Sequence, residues 1–288
     1  MRKVLITGSC GFLGHHLVKK LDEIGFYTIG VDNLSNGDRK YAKYSEEFIW
    51  DDFGFLTPED LEGIEWIFHT AALPRVPYSI EHPVETHDSN VNQTLSLLLA
   101  AKDAGVQKVI YSSSSSVYGG QTNFPTREED RTIPLSPYAV QKLAAEQYCE
   151  VFRTVYGLPT VSLRYFNIFG EEQRADNPYT GVLTRFLDMK KNGSPLTIYG
   201  TGEQSRDFTY VGDVVMANIA TAERGEGVYN VGTGKDYTIN EIAHAVSDKI
   251  VYLPPRLGDP PKSLADNSRL RSIGWEPEMD ILTWITSR

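Results

Sequence analysis

Short apolar and β-branched runs alternate with amphipathic segments of helical length along the first part of the chain. The runs that predict strands are KVLITG, YTIGVD, WIFHTAA, KVIYSSS and TVSLRYF, and the segments that predict helices include GFLGHHLVKKLDEIG and TLSLLLAAKDAG. A repeated order of strand, helix and strand is typical of a parallel sheet with helices on both faces. The pattern therefore predicts an α/β fold with a doubly wound parallel sheet.

The pattern loosens after about residue 170, where proline and glycine interrupt the chain. The stretches ADNPYTG, KNGSPLTIYGTG and YLPPRLGDPP indicate loops and short elements. We therefore predict one domain at residues 1–170 and a smaller C-terminal substrate-binding lobe at residues 171–288. The segments LRYFN and RDFTYVGDV are compatible with a return of the chain to the first domain.

Three glycines lie between the first predicted strand and the first predicted helix. Gly8, Gly11 and Gly14 would let the backbone approach a pyrophosphate, which the amides and the dipole of the helix N-terminus would bind. Their spacing is one residue longer than in the usual dinucleotide fingerprint, so a glycine-rich turn without a ligand is the alternative. His15 and His16 are expected to be packing or surface residues.

An acidic residue ends the second predicted strand. Asp32 lies about 20 residues after the glycines, where a carboxylate can accept hydrogen bonds from both ribose hydroxyls and repel a 2′-phosphate. Asp32 therefore favours a Rossmann-type domain that binds NAD rather than NADP. A turn residue before Asn33 is the alternative interpretation.

The segment SPYAVQK predicts a helix start that carries a possible catalytic pair. Ser136 would be the N-cap and Pro137 the first helical residue, so Tyr138 and Lys142 share one face, one turn apart. The ammonium and the positive helix end both favour phenolate, and lowering the Tyr138 pKa from ~10 to about 7 takes roughly 4 kcal/mol. With a positively charged nicotinamide ring nearby, Tyr138 could act as a base; an ordinary amphipathic helix face is the alternative.

A serine cluster follows the strand KVIYSSS at the edge of the sheet where ligands bind. One of its hydroxyls could hydrogen-bond a reacting oxygen beside Tyr138. The alternative is a polar turn made of small residues.

Composition and charge narrow the possible functions. The 288-residue chain has 38 acidic and 28 basic side chains, a net charge of −10 and no dense basic stripe, so we expect no nucleic-acid partner. The first apolar run is too short for a signal peptide and no later run reaches membrane-spanning length, so we expect a cytoplasmic protein with no membrane partner. Cys10 and Cys149 lie far apart, which predicts reduced thiols and no metal site.

Taken together, TGSCGFLG, Asp32, SSSSSVYG, SPYAVQK and LRYFNIFG resemble the extended short-chain dehydrogenase/reductase family, and most closely its UDP-glucose 4-epimerase branch. The similarity covers nearly the whole chain, and the order and spacing of the motifs are specific. The resemblance implies a Rossmann domain, a small nucleotide-sugar lobe, tightly held NAD and a homodimer packed through two helices. It also implies epimerisation of a UDP-hexose at carbon 4 through a 4-keto intermediate.

The resemblance also assigns roles to individual residues. It implies a catalytic set of Ser114, Tyr138 and Lys142. The implied cofactor contacts are Phe12, Leu13, Asn33, Asn36, Asp52, Phe53, Thr70, Ala71, Ala72, Leu73, Asn90 and Phe166. The implied substrate contacts are Arg75, Val76, Tyr165, Asn167, Val182, Leu183, Ile198, Tyr199, Arg206 and Arg256. Arg206 and Arg256 suit a diphosphate, although either could equally form a surface ion pair.

Other enzymes of the same family are the main alternatives. Relatives that dehydrate or decarboxylate nucleotide sugars have carboxylates where this chain has Ser115 and Ser116, which cannot ionise. This difference argues against a 4,6-dehydratase or a decarboxylase but leaves epimerisation of a UDP-glucuronate open. A non-catalytic NAD-binding sensor on the same fold is a further alternative, although such proteins often lose the tyrosine or lysine that this chain keeps.

The size of the sugar subsite depends, by resemblance, on the position seven residues after the diphosphate arginine. Counting from Arg256 gives Ser263, a small side chain that would admit N-acetylated sugars as well as UDP-glucose and UDP-galactose. The stretch AVSDKIVYLPP is shorter than is usual in the family, which predicts a trimmed small lobe.

Overall fold

Strands and helices alternate along most of the chain in a computed structural model that describes residues 2–174, 181–255 and 261–288. The strands are β1 (Lys3–Thr7), β2 (Tyr27–Val31), β3 (Glu47–Ile49), β4 (Ile64–His69), β5 (Lys108–Ser114), β6 (Thr160–Tyr165), β7 (Ile168–Phe169), β8 (Leu196–Tyr199), β9 (Ser205–Asp207), β10 (Thr209–Tyr210), β11 (Gly227–Val231), β12 (Asp236–Thr238), β13 (Ile250–Leu253) and β14 (Lys262–Ser263). The helices are α1 (Phe12–Glu23), α2 (Val76–Glu81), α3 (Pro83–His87), α4 (Gln93–Asp103), α5 (Pro137–Val155), α6 (Val182–Lys191), α7 (Val211–Arg224), α8 (Ile239–Val246), α9 (Ser268–Ser272) and α10 (Ile281–Thr286).

Seven strands form one sheet in the order β11, β6, β5, β4, β1, β2, β3. All neighbouring pairs in this sheet are parallel. The prediction of a doubly wound α/β fold is therefore confirmed. Because β4 and β2 flank β1 on opposite sides, the chain reverses direction across the sheet at β1, and a cleft opens beside the strand ends there.

Helices cover both faces of this sheet with regularly spaced apolar side chains. On α1, Leu17 and Leu21 are fully buried and belong to the core that also contains α7. On α5, Cys149 and Phe152 are buried in the core of the opposite face, with α4. Spacings of three and four residues place these side chains on one stripe of each helix, which explains why the segments are amphipathic.

Residues after 170 contribute to both parts of the molecule. Strand β11 pairs with β6 at the edge of the large sheet, and α7 packs against α1. A separate core joins α6, α8 and α10 with β8 and forms the smaller lobe. A capping box between Thr238 and Glu241 fixes the start of α8.

A helix that crosses a membrane must be long and largely apolar. Among the residues that the structure describes, none of the helices is both long enough and apolar enough for a bilayer crossing.

Candidate active site

One cavity of about 850 Å³ lies along the carboxyl ends of the central strands. Its wall includes Gly8 after β1, Asp32 after β2, Thr70 after β4, Ser114 at the end of β5 and Phe166 after β6. Parallel strands bring these residues to a single edge because their carboxyl ends coincide. The volume is near the upper end of the roughly 300–1,000 Å³ typical of small-molecule sites.

The glycine loop between β1 and α1 fits a dinucleotide phosphate. Gly8 has a φ of +69°, and a Cβ atom on Gly14 would lie 2.0 Å from the Gly8 carbonyl oxygen, so both positions require glycine. Gly11 is the N-cap of α1 and gives no side-chain hydrogen bond, so the first amides of the helix have no side-chain cap. These amides lie at the cavity wall, where a pyrophosphate could accept their hydrogen bonds.

Asp32 lies at the same end of the cavity. Its carboxylate accepts hydrogen bonds from the backbone N–H groups of Cys10 at 2.9 Å and Leu34 at 2.7 Å. Burial raises the pKa of Asp32, and the two backbone hydrogen bonds act in the opposite direction. Each carboxylate oxygen keeps a second acceptor position, which suits the two ribose hydroxyls of NAD.

The structure brings most of the sequence-predicted cofactor residues to the cavity wall. They are Phe12, Leu13, Asn33, Asn36, Asp52, Phe53, Thr70, Ala71, Ala72, Leu73 and Phe166.

Asn90 differs from the other predicted cofactor residues because it lies behind the wall. Its side chain accepts a hydrogen bond from the Leu73 N–H at 2.8 Å and donates to the Leu73 carbonyl at 3.2 Å. It also donates to Gln141 on α5 at 2.9 Å. Both amide protons of Asn90 are used within the protein, and Asn90 is absent from the described cavity lining, so its side chain supports the cavity loop, whereas the sequence predicts direct contact with the cofactor.

The start of α5 places Tyr138 and Lys142 as the sequence predicts. The Ser136 hydroxyl caps the helix by accepting from the Ala139 N–H at 3.2 Å, and Ser79 on α2 accepts from the Tyr138 N–H at 3.0 Å. Lys142 donates to the carbonyl of Ser112 at 2.7 Å, and its Nζ atom lies 5.9 Å from the centre of the Tyr138 ring. One strand and two helices, β5, α2 and α5, therefore hold this pair at the cavity wall.

In this structure the pKa of Tyr138 is raised, whereas the sequence analysis predicts that Lys142 and the helix N-terminus lower it. Burial raises the pKa of Tyr138 to about 12, and the hydrogen bond with Ser114 acts in the opposite direction. Burial also lowers the pKa of Lys142 to about 7. Desolvation disfavours the charged form of both groups and is the largest cause of both pKa shifts.

The serine cluster lines the cavity beside Tyr138. Ser114 caps the turn that follows β5 by accepting from the Ser116 N–H at 3.2 Å. Ser115 and Ser116 also belong to the wall, and the buried Ser116 hydroxyl has no hydrogen-bond partner among the described residues. The wall beside Tyr138 and Lys142 thus presents hydroxyls and no carboxylate from this turn.

The predicted substrate residues fall into two groups. Those at the cavity wall are Arg75, Val76, Tyr165, Asn167, Arg206 and Ser263. The Tyr165 hydroxyl is used within the protein, because it donates to Asn218 at 3.0 Å and lies 3.2 Å from the Ser112 hydroxyl.

The remaining predicted substrate residues are not brought to this wall. Leu183 and Ile198 are buried in the core of the smaller lobe, and Val182 packs against that core. Their apolar side chains fill the space between α6, β8 and α8, which corrects the expectation that they contact substrate. Tyr199 lies on β8 outside the cavity lining, and Arg256 lies outside the described residues.

Several wall residues are missed by the sequence analysis. Glu85, Gln121, Phe124 and Lys262 all line the cavity. Lys262 precedes Ser263 in β14, which pairs with β9 so that Ser263 lies opposite Arg206. Adjacency to the predicted Ser263 is the one sequence signal that could indicate Lys262.

The histidines after the glycine loop pack as the sequence predicts. His15 is fully buried, stacks on Tyr41 with ring centres 3.8 Å apart and hydrogen-bonds the Gly11 carbonyl at 2.7 Å. His15, His16 and Glu172 come close enough to one another for a metal ion. However, Lys19 donates to the same Glu172 carboxylate at 3.0 Å, which supplies its positive partner without a metal.

Known proteins resemble this chain over nearly its full length. A family model described as the NAD dependent epimerase/dehydratase family matches residues 4–232. A putative UDP-glucose 4-epimerase from Methanocaldococcus jannaschii is 35% identical, with 96% of this chain and 94% of the relative covered. A UDP-glucuronate 4-epimerase from Thermodesulfobacterium geofontis is 33% identical, with 96% of this chain and 92% of the relative covered.

Solved structures agree with the sequence comparison. A UDP-N-acetylglucosamine 4-epimerase from Methanobrevibacter ruminantium in complex with UDP-N-acetylmuramic acid has a TM-score of 0.94 at 38% identity, covering 99% of this chain and 96% of that chain. A UDP-glucose 4-epimerase from Thermus thermophilus in complex with NAD has a TM-score of 0.89 at 33% identity, covering 99% and 96% of the two chains.

The buried amine of Lys142 makes a prediction for the pH dependence of stability. Its pKa is about 7 in the folded protein and 10.5 without the fold, so between these pH values the unfolded chain binds a proton that the folded chain lacks. The free energy of unfolding of the wild type should therefore rise with pH relative to that of Lys142→Met. At pH 7 we expect the variant to melt higher by about 2 °C or more, and the difference to shrink towards pH 10.

Thermal melts of both proteins across this range measure the effect. Lys191→Met, at an exposed position of α6, is the control and should leave the pH dependence as in the wild type. A Lys142→Met difference that stays constant from pH 7 to pH 10 would contradict the assignment.

Proposed function

The chain belongs to the NAD-dependent epimerase/dehydratase family, and on this premise we propose that it interconverts UDP-hexoses that differ in configuration at carbon 4. The observation that carries the proposal is the position of Tyr138, which lies beside Ser114 on the wall of the cavity that begins at the glycine loop. A base at that position can reach a ligand that shares the cavity with a dinucleotide. The proposal goes beyond the family, whose members act on nucleotide sugars in several ways.

NAD is the cofactor, and this chain offers the groups that would hold it. The amides after Gly11 suit the pyrophosphate, and Asp32 suits the adenosine ribose. When bound, NAD supplies a hydride acceptor and later a hydride donor, so the overall reaction needs no external oxidant or reductant.

Tyr138 and Ser114 supply the acid–base chemistry in this proposal. The Tyr138 phenolate accepts the proton of the carbon-4 hydroxyl as that carbon is oxidised to a ketone, and the phenol returns a proton when the ketone is reduced from the opposite face. The Ser114 hydroxyl hydrogen-bonds the same sugar oxygen. The ammonium form of Lys142 and the positive charge of oxidised NAD would lower the pKa of Tyr138 from the value set by burial.

The neighbouring wall favours epimerisation over elimination or decarboxylation. Dehydration of a 4-keto sugar requires an additional acid and base, and the turn after Ser114 offers only the hydroxyls of Ser115 and Ser116. The alcohol hydroxyl of a serine has a pKa too high for it to exchange protons readily at neutral pH. The keto sugar would therefore be held until its reduction.

The first test uses the purified protein with UDP-galactose and no added reductant. We expect UDP-glucose to form, and we expect Tyr138→Phe to reduce kcat by about 10²-fold or more, as is typical for loss of a general base. Chromatography and mass of the product distinguish the isomer from other products. A dehydrated or decarboxylated sugar would replace the proposal with the corresponding alternative reaction.

The sugar subsite supports a wider substrate range. Ser263 lies opposite Arg206 in the pairing of β14 with β9, and both residues line the cavity. A small side chain at this position leaves room for an N-acetyl group. We therefore include UDP-N-acetylglucosamine and UDP-N-acetylgalactosamine among the proposed substrates.

Enlarging Ser263 tests this extension. Ser263→Tyr should lower kcat/KM for the N-acetylated pair by about 10-fold or more, since an overpacked site costs 1–3 kcal/mol, and should change the plain hexoses little. Ser263→Ala is the matched control and should keep both classes. An equal loss for the two classes would show that Ser263 does not select by size.

The outer face of α5 supports the homodimer that the resemblance implies. Val140, Tyr148, Val151 and Val155 are exposed and lie on one stripe of this helix. Leu99 on α4 is also exposed. We propose that two copies of the chain pack through α4 and α5, which would cover these apolar side chains.

A charge on this stripe should dissociate the dimer. We expect sedimentation velocity to show a dimer for the wild type and a monomer for Val151→Glu, because a buried unpaired carboxylate is costly. Val251→Glu, at an exposed apolar position of β13, is the control and should remain dimeric. A monomeric wild type, or a dimeric Val151→Glu protein, would refute packing through these helices.

A further inference from the structure

A buried ion pair lies directly behind the proposed catalytic serine. Arg164 on β6 donates two hydrogen bonds to the carboxylate of Glu146 on α5, one of them from Nε at 3.1 Å. Both side chains are only 6% exposed. Neither residue belongs to the cavity wall among the described residues.

One end of this ion pair holds the strand that carries Ser114. Ser113 pairs with Arg164 in the register of β5 and β6, and its hydroxyl donates to Glu146 at 2.8 Å. The residue immediately before Ser114 is thus bonded to the helix that carries Tyr138. The distance between these two elements is set by this contact as well as by the bond from Lys142 to Ser112.

The other end holds the turn that follows Ser114. Arg164 donates to the Tyr118 hydroxyl at 2.7 Å and lies over the Tyr118 ring at 4.7 Å. Tyr118 in turn donates to Asn230 on β11 at 2.7 Å. The four residues between Ser113 and Tyr118, including Ser114, are therefore fixed at both ends by the same guanidinium–carboxylate pair.

The network continues to the sugar side of the cavity. The Asn230 amide donates to the carbonyl oxygens of Thr126 at 2.9 Å and Asp266 at 3.2 Å. These carbonyls belong to the loop that carries Phe124 and to the segment that carries Ser263, and both of those residues line the cavity. One buried network thus joins the catalytic turn to the proposed sugar subsite.

Stability alone does not explain why such a pair is present. Desolvation of two buried charges commonly cancels their attraction, and well-packed apolar residues of similar volume stabilise a core at least as well. What apolar residues cannot supply is the set of directed hydrogen bonds to Ser113 and Tyr118.

We propose that Arg164 and Glu146 are positioning residues that hold the Ser114 hydroxyl in place against the Tyr138 phenol. The inference rests on the proposed function, because it assigns these residues to the acid–base step. Misplacement by about 1 Å can cost as much as 10²-fold in rate, so a loosened turn should lower kcat. Substrate affinity should change little because neither residue touches the cavity.

The test compares two variants that change the network with one control. Tyr118→Phe keeps the ring that lines the cavity and the ion pair, and removes only the hydroxyl that lies between Arg164 and Asn230. The double variant Glu146→Leu/Arg164→Met replaces the pair with apolar side chains. Arg153→Met is the matched control, because Arg153 forms exposed ion pairs with Glu150 and Glu226 at the other end of α5.

For Tyr118→Phe and the double variant we expect kcat for UDP-galactose to fall about 10-fold or more, with KM within about twofold of the wild type. The rising limb of the kcat–pH profile should move to higher pH, since the hydrogen bond from Ser114 lowers the pKa of Tyr138. The Arg153→Met protein should keep the wild-type kcat and profile.

The melting temperature separates positioning from folding. A double variant that melts like the wild type but has low kcat and a displaced profile supports the proposal, and wild-type kcat and profile in Tyr118→Phe or the double variant overturn it. If the double variant does not fold, Tyr118→Phe decides alone. A wild type that is inactive on UDP-sugars would instead refute the proposed function, so the two failures are distinguishable.

Discussion

The burial of a phenol and an amine one helical turn apart is the constraint that the surrounding residues must satisfy. Tyr138 and Lys142 are almost fully removed from solvent, which disfavours phenolate and ammonium alike. The carbonyl of Ser112 and the hydroxyl of Ser114 are the polar groups that compensate on the protein side. Because both come from the end of β5, the proposed chemistry requires an accurate fit between this strand and the start of α5. The rest of the site is arranged around that fit.

The fold was largely predictable because its main signals are local. Apolar runs and amphipathic segments alternate through the first domain, so each strand and helix is visible without knowledge of its partners. The position of β11 in the sheet was harder to predict from the sequence. It pairs with β6 although β7, β8, β9 and β10 lie between them in the chain, and local sequence does not indicate such long-range pairing. The local sequence pattern predicts the strands and helices, while long-range pairing determines the lobe to which each of them belongs.

The candidate site was predictable where roles depend on spacing along one element. The glycine spacing and the four-residue separation of Tyr138 and Lys142 are of this kind, and the structure brings both to the cavity. The prediction for Leu183 and Ile198 was wrong because an apolar side chain can line a binding site or fill a core, and the sequence does not distinguish these two roles. The network around Arg164 joins residues from six separate segments, so no local pattern could reveal it.

The helix that supports the cofactor loop contains an unusual turn. Helix α3 passes into α4 through a π-helical segment at Asp88–Asn92, and Asn90 within it reaches Leu73 and Gln141. A π turn arises when one extra residue is accommodated in a helix. The extra residue is taken up within that turn, so its loss would convert the segment to regular α-helix while the flanking helices keep their register. A one-residue deletion at this turn would therefore act locally, by moving Asn90 from the position where it bonds Leu73 and Gln141.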